Sequence, residues 1–307
     1  MNSLPPLAVF FAATDSQPRY GKRVDQLRAS GVDVTVFAFK RNDGRQPSFS
    51  PETEVIYLGN LSDNKYLARI PLLVRGISRV RKFIKYDRKV FFFATSPDTL
   101  FLARAAGLRY GIYEIGDIIS YNAKAQYFAF IEKLLLRSGS SVILTSRYFY
   151  DNFYHSQNRF SREQIFVIEN RLNRALSPER PGRPRTPRMP LTIGLIGLLR
   201  YRKPIEFLLQ FVSENSSRYR LECFGVGSMV EEIMKHEGAS IKYHGEFNNP
   251  KDLPQIYNRI DVNFSVYDTG SLNVRLAIPN KIFESAFFAV PILCGKGTIL
   301  EKLACKW

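Results

Sequence analysis

A chain of 307 residues, 45% of them hydrophobic, has the length for two ordinary domains and the apolar content for packed cores, which excludes an intrinsically disordered protein. Lys and Arg number 44 against 28 Asp and Glu, a formal net charge of +16, and the excess is uneven: residues 1–190 carry 30 Lys/Arg against 16 Asp/Glu, residues 191–307 carry 14 against 12. Three scattered cysteines (Cys223, Cys294, Cys305) argue against a disulfide framework, three histidines without a CxxC argue against a metal site, and no apolar run is long enough to span a bilayer.

The opening Met1-Asn-Ser-Leu-Pro-Pro6 lacks a basic n-region. Residues 7–13 therefore read as a first buried strand and not as a signal peptide, and the expected location is the cytoplasm. Further strands are expected at 33–39, 54–58, 89–94, 111–115, 141–145 and 165–168. Helical patterns at 23–30, 67–86, 98–107 and 125–136 lie among them. Strands alternating with helices predict a mostly parallel, doubly wound α/β sheet.

Residues 65–89 hold nine cations against the single acid Asp87. Leu73, Ile77, Val80 and Ile84 recur at helical spacing, with Arg75, Arg79 and Lys82 on another face. The apolar face predicts packing on the sheet. The excess charge predicts an outer surface that rests on anionic lipid headgroups.

Five prolines between residues 173 and 190 interrupt both periodicities and predict an extended Pro/Arg-rich linker. It separates an N-terminal domain, 1–172, from a C-terminal domain, 191–307. The second half repeats the α/β alternation. Strands are expected at 191–197, 220–225, 240–244, 261–266 and 290–293, and helices at 204–213, 228–236 and 251–258. The stretch Ile278-Pro-Asn-Lys-Ile-Phe-Glu284 reads as a turn and a short helix, with Pro279 at its first position. The stretch from Gly295 to Trp307 begins another element and stops, so the second domain is expected to be incomplete. Two Rossmann-like domains predict a ligand cleft.

Four segments carry a resemblance to the donor-binding domain of GT-B glycosyltransferases of the family 4 type. They are Gly194-Leu-Ile-Gly-Leu-Leu-Arg-Tyr-Arg-Lys203, Cys223-Phe-Gly-Val-Gly227, His244-Gly-Glu-Phe247 with the later Tyr257-Asn-Arg-Ile-Asp261, and Pro279-Asn-Lys-Ile-Phe-Glu284 with Ala289-Val-Pro-Ile292. Tyr113-Glu-Ile-Gly-Asp117 is similar to the family's cleft loop on the acceptor side. Two departures stand out. Family 4 enzymes carry two glutamates eight positions apart, and Leu276 occupies the earlier position. A histidine of the cleft loop has Gly116 in its place. The resemblance also implies a C-terminal helix that returns to the first domain, and the second domain is expected to lack it.

The resemblance implies a metal-independent hexosyltransferase whose nucleotide sugar is substrate, with no other cofactor. Departing phosphate charge then has to be met by fixed cations and helix N-termini. Arg200 and Lys203, beyond the glycine turn at Gly197, fit that task, although each also reads as an exposed loop cation. Glu284 is a carboxylate that can accept from paired ribose hydroxyls, or a plain helix-face glutamate. Lys281 and Asn280 add phosphate contacts. Phe247 offers a face for base stacking or a core contact. Asp117 is the candidate acceptor-side carboxylate, with Glu114 as the alternative, and Asp117 equally suits a helix cap.

The leading expectation is a cytoplasmic enzyme, peripheral on the inner face of the plasma membrane, that builds surface polysaccharide on a glycan or polyprenyl-linked acceptor. A nucleotide-sugar epimerase of the same architecture is one alternative. A basic nucleic-acid-binding protein is another, but no recognition motif accompanies the charge, so no nucleic acid is expected. A catalytically impaired fragment is the third.

Overall fold

The computed structural model describes residues 4–40, 46–60, 69–84, 88–118, 132–136, 139–157, 160–172, 176, 186 and 189–306. The chain forms two compact units, Met1–Glu169 and Asn170–Trp307. Most of the expected linker at 173–190 lies outside the described residues, as do residues 65–68 and 85–87 of the basic stretch and the first part of the helix expected at 125–136.

The first unit is a seven-stranded parallel sheet in the order β3-β2-β1-β4-β5-β6-β7. Its strands are β1 (Leu7–Ala12), β2 (Asp33–Lys40), β3 (Val55–Asn60), β4 (Val90–Ala94), β5 (Gly111–Ile115), β6 (Ser140–Leu144) and β7 (Ile165–Val167). All six residues of central β1 are buried, as a parallel strand covered on both faces requires. Phe10 stacks on Phe93 at 4.7 Å between ring centroids, and Phe11 on Phe37 at 5.8 Å.

Helices α1 (Pro18–Ala29), α2 (Ile70–Phe83) and α3 (Pro97–Ala105) connect the early strands. Helix α1 starts five residues before the expected position, because Pro18 in the first turn is pre-set for helical φ. Ser96 and Thr99 form a capping box that fixes the start of α3. A helical stretch over residues 147–157, with a π-helical middle at Tyr150–Tyr154, was not expected. Ser146 caps its first turn, and Phe149, Phe153 and Tyr154 are its buried contacts.

The second unit is a five-stranded parallel sheet in the order β10-β9-β8-β11-β12. Its strands are β8 (Leu191–Leu198), β9 (Tyr219–Val226), β10 (Ile241–Tyr243), β11 (Val262–Ser265) and β12 (Ile292–Cys294). Leu172 and Leu176 pack on the core of this unit with Ile196, Phe224, Tyr257, Ile260 and Phe288. The glycines of Cys223-Phe-Gly-Val-Gly227 are a packing device. A Cβ on Gly225 falls 1.8 Å from the Gly197 carbonyl oxygen, and one on Gly227 falls 2.2 Å from that of Leu199. The motif lets β8 and β9 approach closely.

Chain order reverses between β8 and β11, so this is the topological switch point of the second sheet. In open α/β sheets, ligands bind beyond the C-terminal strand ends at such a point. The segments that follow β8 and β11 are Leu199–Tyr201 and Val266–Tyr267. The polar loop after Tyr267 contains a further short helix, Leu272–Leu276, and its last residue Leu276 is buried.

Candidate functional site

Residues from four separate segments of the second unit meet around Glu284. The helix Lys281–Phe287 begins after Asn280, and its Glu284 is only 2% exposed. Ion pairing and hydrogen bonding justify that burial. Lys281 Nζ donates to Glu284 Oε2 at 2.7 Å, Tyr257 OH donates to the same oxygen at 3.0 Å, and Asn280 Nδ2 donates to Oε1 at 3.3 Å. The reading of Glu284 as a solvated helix-face glutamate is therefore corrected.

Lys281 is also buried, so it is not a surface lysine. Its Nζ lies 5.7 Å from the Phe247 ring centroid. A Cβ on Gly197 would lie 3.7 Å from Lys281 Cε, which places this glycine, in the last part of β8 where a turn was expected, directly beside the lysine. Phe247 is half-buried and packs against the core of the unit, so one part of it is structural. Gly197, Phe247, Asn280, Lys281 and Glu284 thus form one neighbourhood.

Arg200 and Lys203 are arranged differently. Arg200 is exposed, with its guanidinium 5.1 Å from the Tyr201 ring centroid and Nη2 3.1 Å from the Tyr201 hydroxyl. Tyr201 in turn packs on Tyr267 at 5.2 Å. Burial pushes the Tyr267 phenol up to about 12, so it is a donor through the neutral range. This Arg–Tyr–Tyr group stands at the switch point; Arg200 was expected there as a diphosphate contact, and its stacking on Tyr201 was not. Lys203 is exposed on the Arg202–Glu214 helix.

In the first unit, Glu114 on β5 is fully buried. Arg23 grips it through Nε to Oε2 at 3.1 Å and Nη2 to Oε1 at 3.3 Å, and Arg19 Nε lies 3.1 Å from Oε1. Burial works against the Arg19 charge, but Glu114, Tyr20 and Asp117 outweigh it and raise its pKa. Both Glu114 oxygens are committed to guanidiniums, which is the geometry of a structural counter-ion. Gly116 makes room for this arrangement: a Cβ there would lie 2.0 Å from Arg19 Nη2. The space beside the missing histidine position therefore holds an arginine. Asp117, next in the chain, is exposed.

Among the described residues, no three His, Cys, Asp or Glu side chains cluster to hold a metal ion. Among the same residues, no helix is long and apolar enough to cross a membrane.

No family model matches the sequence, and no curated protein matches it. Solved structures do match. The apo form of the lipopolysaccharide outer core galactosyltransferase WaaB superposes with a TM-score of 0.60 at 12% identity, over 95% of this chain and 81% of that one. A glycosyltransferase from Rickettsia africae gives 0.57 at 12% identity, over 95% and 79%. A UDP-N-acetylglucosamine 2-epimerase from Rickettsia bellii gives 0.55 at 11% identity, over 94% and 78%. Identities this low speak to architecture alone. With its two parallel sheets of seven and five strands, the chain has the Rossmann-like GT-B fold of these neighbours.

Proposed function

We propose that this protein transfers a sugar from a nucleoside-diphosphate donor to a glycan or lipid-linked acceptor in the assembly of cell-surface polysaccharide. The observation that carries the reading is the buried Glu284–Lys281 pair beside Gly197 in a GT-B fold. Glu284 Oε1 accepts a single long hydrogen bond among the described residues and keeps acceptor capacity for ribose hydroxyls. Lys281 and Arg200 supply cations for the diphosphate without a metal ion, and Lys203 adds a third. Phe247 offers an aromatic face to the base. On the acceptor side the reading assigns Asp117, since Glu114 is spent on Arg19 and Arg23.

A lipid-linked acceptor is supported by α2. The helix has four cations and no acid. Val80 and Gly76 are buried inward, while Ile70 and Val74 are 54% and 61% exposed. Arg79 and Arg81 donate to the carbonyls of Tyr57 and Ala105 at 2.8 and 2.7 Å, while Arg75 and Lys82 are exposed. An apolar pair flanked by cations suits the headgroup boundary of an anionic membrane. On this reading the enzyme works from the inner face of the plasma membrane.

Calorimetry with UDP and GDP tests the donor half: one of them binds, and Arg200→Ala weakens it about tenfold, a typical loss for a charge-assisted contact. Absence of binding to either nucleotide sinks the proposal. The epimerase neighbours make a second reading concrete, because they share the fold to a similar degree. Following a bound nucleotide sugar by NMR separates the two, since inversion within the nucleotide sugar without an acceptor favours the epimerase.

A further inference from the structure

Beneath Glu284 lies a polar chain that no charge requirement explains. Asn263 on β11 is fully buried, and its Nδ2 donates to Ser285 Oγ at 2.8 Å and to the Tyr257 hydroxyl at 3.2 Å. An amide nitrogen has no lone pair to offer, so the Tyr257 oxygen is the acceptor in that contact. Its one hydrogen is then left for Glu284 Oε2, 3.0 Å away. The Tyr257 ring cannot swing aside, because it is stacked on Phe288 at 4.8 Å with 17° between the planes. Burial and the Glu284 charge raise the Tyr257 phenol well above its ordinary value, so it stays a donor.

We infer that Asn263 and Tyr257 are positioning residues that fix the rotamer of Glu284, so that Oε2 is held from below and Oε1 is presented to the ribose. The inference rests on the ribose reading of Glu284. The asymmetry of the carboxylate supports it: Oε2 takes two short contacts, from Tyr257 and Lys281, and Oε1 takes only the longer one from Asn280. Hydrogen bonding accounts for the Asn263 nitrogen, which has two acceptors in a strand whose neighbours Phe264 and Ser265 are also buried, while its Oδ1 has no hydrogen-bond partner among the described residues.

The test compares each ribonucleotide, UDP and GDP, with its 2′-deoxy form by calorimetry. The wild type prefers the ribose form by tenfold or more. Tyr257→Phe removes one hydroxyl, keeps the Phe288 stack, and reduces that preference at least threefold while the deoxy affinity stays the same. Asn263→Ser, which is too short to reach Tyr257, gives the same loss by a second route if the first variant folds poorly. Glu284→Gln distinguishes the two levels of the proposal. If it abolishes the preference while Tyr257→Phe and Asn263→Ser preserve it, the positioning role is overturned and the ribose reading stands. If the preference survives Glu284→Gln, or if the wild type never had one, the ribose reading fails and takes the positioning role with it.

Discussion

Glu284→Ala lowers nucleoside-diphosphate affinity by about 10–100-fold, the scale of losing a charged hydrogen-bond partner, and destabilises the second unit by about 3–5 kcal/mol. Both effects come from one feature. Lys281 and Glu284 are both buried, with their charges 2.7 Å apart. Removing the carboxylate leaves an ammonium under Phe247 with no counter-charge and leaves the Tyr257 hydroxyl without its acceptor. Desolvating an unpaired charge is far more unfavourable than losing an exposed ion pair. Urea unfolding monitored by hydrogen exchange in β11 and β12 reads the stability, and calorimetry reads the affinity. A variant that unfolds at the wild-type urea concentration would mean the pair is solvated in solution.

Glu114→Ala is the companion experiment in the first unit, and its expected result is structural. Arg19 and Arg23 are buried against one carboxylate, and the alanine variant leaves both guanidiniums without it. A loss of about 3–5 kcal/mol follows from breaking such a buried group on one side. The triple change Glu114→Leu, Arg19→Met and Arg23→Met removes the charges together and recovers most of that loss, because well-packed apolar groups replace buried ions at little net disadvantage. A Glu114→Ala protein with wild-type stability and no transfer activity would restore Glu114 as a catalytic base and displace Asp117.

Much of the fold was legible because parallel strands covered on both faces are apolar along their whole length. Residues 7–13, 89–94 and 191–197 read as strands for that reason, against observed bounds of Leu7–Ala12, Val90–Ala94 and Leu191–Leu198, and the seven-plus-five count follows from alternation with helical periodicity. Boundaries were set by other forces. Pro18 drew α1 forward, and the strand expected from Val290 begins at Ile292, because Pro291 has no N–H to give and instead accepts from Asn263 N. The helical stretch at 147–157 escaped notice because its buried aromatics break the simple repeat across a π-helical turn.

The sequence by itself determined the parallel α/β class and the local pairing of Lys281 with Glu284, because a helix brings residues three apart together wherever it lies. It also determined the cationic, amphipathic character of α2. What only the tertiary structure decided is which of the candidate carboxylates has spare acceptor capacity. Glu114, Asp117 and Glu284 are equivalent as letters. Burial beside Arg19 and Arg23 commits the first, the second is exposed, and the third accepts from Tyr257, which itself accepts from Asn263; these two lie 27 and 21 positions earlier in the chain. Those contacts depend on strand order, and strand order arises from long-range pairing that no local periodicity records.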